Sequence, residues 1–116
     1  MAKAMKMNIV FVLLAPLLFL PAALHAEGDP EIGKQYFVIC ANCHGTKAEG
    51  NEEIGAPRLQ GQHDWYLVRQ LNNFKKGVRG THKEDALGHQ MRQMALTLKD
   101  DKAIDDVVSY IASLNK

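Results

Sequence analysis

The chain has 116 residues, with 14 Lys and Arg against 13 Asp and Glu, and 47% of its residues are hydrophobic. A formal charge of +1 excludes a general nucleic-acid binder, which carries a strong basic excess. The length is that of one small domain, which buries limited surface by itself.

The first 26 residues differ in composition from the rest. Lys3 and Lys6 precede an apolar run over residues 9–20, followed by Pro21-Ala22-Ala23-Leu24-His25-Ala26. This is the layout of a secretory signal peptide. The run is short of the roughly 20 apolar residues that a membrane-spanning helix needs. Cleavage is expected after Ala26, with cleavage after Ala23 or retention as an anchor as the alternatives. Two of the basic side chains fall in this segment, so residues 27–116 keep 12 basic against 13 acidic groups, a formal charge of −1. They form the expected mature domain.

Asp29-Pro30-Glu31 reads as a helix start: Asp as N-cap, Pro tolerated at the first helical position, and Glu near the positive end of the dipole. This helix is expected to reach about Cys40, with Gly33 and Phe37 on one face. Residues 45–62 include Gly45, Gly50, Gly55, Pro57 and Gly61 and read as an irregular loop. Asp64 opens a second helix, in which Leu67, Leu71 and Phe74 recur at helical steps and Gly77 marks the end. Residues 78–89 read as irregular and lead to Met91, with a short turn over residues 94–98. The last helix is expected from Asp100 or Asp101, with Ile104, Val107, Val108, Ile111 and Leu114 as its buried stripe. The chain shows no strand alternation, so the fold class is all-α.

Cys40-Ala41-Asn42-Cys43-His44 carries the chemistry. Two thiols at this spacing can each add across a vinyl group of a porphyrin, and the adjacent imidazole can then bind the iron. No third cysteine is present, so both thiols are consumed as thioethers and the haem acts as the staple of a small fold. A sixth iron position remains. Beyond residue 26 the only methionines are Met91 and Met94. A thioether is soft and neutral, stabilises ferrous iron and raises the reduction potential. Met91 is favoured; Met94, amid Ala95, Leu96 and Leu98, has the character of a core residue. His82 and His89 are the imidazole alternatives, and His63 reads as a surface residue.

These residues, together with residues 33–44, Pro57-Arg58-Leu59-Gln60-Gly61-Gln62, Tyr66, Arg69-Gln70-Leu71, Phe74, Gly77, Arg79, Met91 and Tyr110-Ile111, give a chain that resembles the class I cytochromes c. It is similar to their bacterial monohaem kind and to one domain of the dihaem c-four cytochromes. The likeness covers nearly all of residues 31–114. It implies an all-α class I cytochrome c fold around one covalent haem c. Cys40 and Cys43 are then the thioether anchors, His44 the proximal ligand and Met91 the distal one. It further implies that the Pro57 carbonyl accepts the other ring N–H of His44. Gly33, Phe37 and Tyr110 resemble the family's crossing of first and last helices. Lys99 departs from the usual Ser or Thr cap, which moves the expected start of the last helix to Asp100. Residues 80–90 match no pattern of the family, and residues 45–56 match loosely.

Several readings compete. A zinc site lacks further thiols to close it, and a thioredoxin-like dithiol needs strands alternating with helices. A peroxidase or sensor would use His82 or His89 at an open sixth position. The expected function is periplasmic electron carriage with no catalytic residues, between redox partner proteins that include membrane-bound oxidases or reductases. Service as a haem subunit of a larger dehydrogenase or oxidase is the alternative. Lys75, Lys76, Arg79, His82 and Lys83 form a candidate docking patch for an acidic partner. Trp65, Tyr66, Leu59, Leu71, Phe74 and Ile104 are candidates for packing on the haem, and Arg69 and Arg79 for its propionates.

Overall fold

The computed structural model describes residues 1, 2, 4 and 28–115; apart from residues 1, 2 and 4, the expected leader and its cleavage point lie outside the described residues. Helix α1 spans Pro30–His44. The Asp29 carboxylate caps it by accepting from the N–H groups of Glu31 (2.9 Å) and Ile32 (3.3 Å). The expected end near Cys40 is too early. Nothing in Ala41-Asn42-Cys43 breaks a helix, and the chain turns only at Gly45, whose φ is +83°. Cys40, Cys43 and His44 are therefore three and four residues apart on the last helical turn and share one of its faces.

Helix α2 spans Asp64–Lys75, with Gly77 (φ +74°) just beyond it. Helix α3 spans Ala86–Leu96 and corrects the expectation of an irregular stretch to residue 89 and a short turn after Met91. Its signal is weak because Gly88, His89 and Gln90 interrupt the apolar period. It is started by Asp85, whose carboxylate accepts from the Gly88 N–H at 2.8 Å. Met91 thus lies in mid-helix. Helix α4 spans Asp101–Ser113, within the expected start, and is capped by Asp100, whose carboxylate accepts from the Ala103 N–H at 2.9 Å. Among the described residues there is no strand, and the fold is all-α; a 3-10 turn at Glu52–Ile54 and one isolated bridge between Asn51 and Ala56 shape the first loop.

The framework is the crossing of α1 and α4. At Gly33 the helices touch backbone to backbone: a Cβ there would stand 2.5 Å from the Asp106 carbonyl carbon and nearer still to its oxygen. Phe37 and Tyr110 close the crossing with ring centroids 5.3 Å apart, tilted by 54°. Phe37, Leu67, Leu98, Ile104, Val107, Val108 and Ile111 form the core. One carboxylate is buried at the crossing. Asp106 is only 3% exposed and accepts from the Asp29 N–H (2.6 Å) and from Lys102 Nζ. Burial works to raise its pKa, but the hydrogen bonds from Lys102 and Asp29 and the lysine charge outweigh it and hold the carboxyl below its ordinary range.

Residues 45–62 are compact despite their composition. Ala48 is fully buried with φ +57°, and its carbonyl accepts from the N–H groups of Leu59 (2.9 Å) and Gln60 (3.0 Å). The Gly50 N–H donates to the His44 carbonyl at 2.7 Å. These bonds fold the loop back on the end of α1 and bring Pro57 to His44. Lys75 Nζ donates to the Leu98 carbonyl and ties the end of α2 to the segment between α3 and α4.

Candidate cofactor site

A cleft of about 310 Å³ lies among the last turn of α1, the first loop and helices α2, α3 and α4. Its lining is mainly apolar and includes Leu59, Tyr66, Leu67, Leu71, Phe74, Leu98, Val107 and Ile111. Into the same cleft come Cys40, Cys43, His44, Pro57, Met91 and Met94. The five expected site residues are thereby brought together from three separate segments.

His44 is 6% exposed, and its Nδ1 lies 2.7 Å from the Pro57 carbonyl oxygen. A carbonyl can only accept, so Nδ1 carries the proton and donates it, leaving the Nε2 lone pair free for a metal. The contact that the resemblance implied is present, and it locks both tautomer and ring orientation. Cys43 is exposed and Cys40 half-buried, its Sγ 3.7 Å from the Tyr36 carbonyl. Burial pushes the Cys40 thiol up to about 11.

Met91 is half-buried and Met94 is 40% exposed. His82 and His89 are exposed and stand off the cleft, and His63 stacks on Trp65 with centroids 5.9 Å apart. The expected packing residues Leu59, Tyr66, Leu71 and Phe74 line the cleft; Trp65 and Ile104 do not. Trp65 points outward, 59% exposed beneath the Arg69 guanidinium at 4.8 Å, whereas Ile104 is sealed in the core. Arg69 is accordingly occupied on Trp65 and Tyr66 rather than at the cleft. Arg79 does line it, lying 4.4 Å over the Phe74 ring and donating to Gln70 Oε1 at 2.7 Å. Sequence reasoning missed Gln70, Ile54, Leu87, Gly88 and Ala95. The last three sit on α3, and recognising Asp85 as an N-cap three residues before Gly88 was the available signal.

The donor set fits a large, flat, apolar iron porphyrin: two thiols and an imidazole on one helical face, a thioether from another element, and hydrocarbon between them. The cytochrome c family model matches residues 30–115. The chain belongs to the cytochrome c family. Its cofactor is one haem c, held covalently through Cys40 and Cys43, and the domain is an electron-transfer module. Among its relatives it is 33% identical over 110 residues to cytochrome c4 of Stutzerimonas stutzeri, covering 92% of this chain and 51% of that one. It is 33% identical over 108 residues to cytochrome c4 of Pseudomonas aeruginosa, covering 92% and 49%. The chain thus spans about half the length of these two relatives. Cytochrome c-554(547) of Halothiobacillus neapolitanus is 32% identical over 91 residues, 75% of this chain and 98% of that one.

Proposed function

We propose that this cytochrome c is a periplasmic one-electron carrier with His44 and Met91 as axial ligands. The observation that carries the reading is the convergence on one cleft of Met91 and of a histidine whose tautomer the Pro57 carbonyl sets. Bound haem c supplies an Fe(III)/Fe(II) couple. His44 offers Nε2 with its basicity raised by the Nδ1–H donation. Met91 adds a neutral, soft sulfur that favours the ferrous state, and the apolar lining keeps water from the site, which acts in the same direction. His82 and His89, which a peroxidase reading would use, stand off the cleft.

The layout of residues 1–26 supports export to the periplasm and removal of the leader, with residues 27–116 as the mature domain. Partners are redox proteins. A relative named thiosulfate dehydrogenase electron acceptor, from Stutzerimonas stutzeri strain A1501, is 34% identical over 79 residues, 66% of this chain and 33% of that one. A second reading, a haem subunit of a larger oxidase, has support from the cbb3-type oxidase subunit FixP of Sinorhizobium medicae, 42% identical over 55 residues. That match covers 41% of this chain and 19% of FixP.

Near-infrared and visible spectra with a redox titration of the holoprotein, Met91→Ala and Met94→Ala test the axial pair. Met91→Ala is expected to lose the methionine-to-iron charge-transfer band and to have a lower potential, while Met94→Ala keeps both. A band that persists in Met91→Ala and vanishes in Met94→Ala overturns the assignment.

A further inference from the structure

Gly80 lies in the connection between α2 and α3, with φ +74°. It is buried although the residues on both sides of it are exposed. The space where its side chain would be is filled by α3. A Cβ at Gly80 would stand 2.9 Å from the Gly88 carbonyl carbon, nearer still to its oxygen, and 2.9 Å from Arg92 Cβ. Both neighbours belong to the turn that carries Met91: Gly88 is three residues before it and Arg92 the next residue after it. Gly88 also lines the cleft and is held by the Asp85 cap at 2.8 Å. A side chain on Gly88 would meet that same carboxylate and force the cap to shift.

The geometry points to Gly80 as a positioning residue for the distal ligand. Its bare backbone lets the α2–α3 connection lie directly on the Gly88 carbonyl, which sets the depth of α3 in the fold and with it the reach of the Met91 sulfur into the cleft. This inference rests on Met91 as axial ligand. A methyl group at position 80 has to push the Met91 turn away, because a carbon–carbon contact needs roughly 3.5 Å and the obstacle is backbone rather than a flexible chain end. Gly77 supplies the control. It has the same φ of +74°, but a Cβ there meets only Thr81 Cγ2 at 3.3 Å and the Arg92 guanidinium at 3.9 Å. Alanine at either position therefore carries the same backbone strain, and only at 80 does it displace α3.

The test uses holoprotein of Gly80→Ala, Gly80→Asn, Gly77→Ala and Met91→Ala. It reads the charge-transfer band, the potential and the affinity of ferric protein for added imidazole, which competes with the methionine. Gly80→Ala is expected to lose at least half of the band, to fall in potential and to bind imidazole at least about tenfold more tightly, since the ligated state no longer competes as well. Gly77→Ala keeps parental values. Gly80→Asn tolerates a positive φ yet still has a Cβ, so it reproduces the Gly80→Ala spectrum and serves where alanine fails to accumulate. A parental band, potential and imidazole affinity in either position-80 variant, with the band lost in Met91→Ala, overturns the positioning role alone. A band that survives Met91→Ala overturns both the ligand assignment and this inference.

Discussion

Gly33→Ala sets two physical effects against each other, and the structure decides the sign. In an exposed helix interior, replacing Gly by Ala gains up to about 1 kcal/mol of helix propensity. At position 33 the added Cβ would stand 2.5 Å from the Asp106 carbonyl carbon and 3.0 Å from Tyr110 Cβ. Opening the first contact to roughly 3.5 Å moves α4 by about 1 Å relative to α1. That shift loosens the Phe37–Tyr110 contact and the buried hydrogen bond from Asp29 to Asp106. Overpacking costs about 1–3 kcal/mol, and rigid backbone on the receiving side puts this site at the upper end. Set against the propensity gain, the net loss is about 2 kcal/mol, a fall in Tm of roughly 8–16 °C for a domain of this size. Thermal and guanidinium unfolding of the holoprotein, followed by helical circular dichroism, measures it. Lys34→Ala, one residue on and exposed, serves as reference and is expected within about 0.5 kcal/mol of wild type. A Gly33→Ala protein as stable as wild type, or more stable, refutes the close crossing.

The remaining predictions concern charge. Asp106 has a folded-state pKa below its unfolded value, so its stabilisation is fully present above the unfolded pKa, about 3.9, and is lost as pH falls through the folded pKa. Asp106→Asn is expected to lower stability at pH 7 by on the order of 1–2 kcal/mol and to flatten the acid limb of stability against pH; an unchanged acid limb contradicts the assignment. In the candidate docking patch, Lys75 is committed to the Leu98 carbonyl and Arg79 to Gln70, whereas Lys76, His82 and Lys83 are exposed. Reversing Lys76 and Lys83 to Glu is expected to slow reduction by an anionic small-molecule reductant severalfold at low salt and to remove the fall of rate with ionic strength. An unchanged salt slope shows that the patch steers nothing.

The features legible in the sequence were those encoded over a few neighbouring residues. The attachment motif needs only two thiols and an imidazole at fixed spacing, and the Asp29 and Asp100 caps and the apolar stripe of α4 are equally local. Helix α3 was not legible, because its turn around Gly88 is stabilised by the Asp85 cap and by packing under Gly80 rather than by an apolar period. The two arginines show the same limit. Arg69 and Arg79 have equal claims by charge, yet stacking sends the first to Trp65 and the second to the cleft.

By itself the sequence determined which cofactor the chain takes, where it is attached, and that helices would enclose it, since these follow from side-chain chemistry and short-range periodicity. The tertiary structure decided how His44 and Met91 are brought to the cleft. The Pro57 carbonyl reaches His44 only because the loop folds around Ala48, and Met91 reaches the cleft on a helix whose Gly88 carbonyl packs directly against Gly80. Both are contacts between segments that no local pattern connects, and they depend on how closely two backbones can approach.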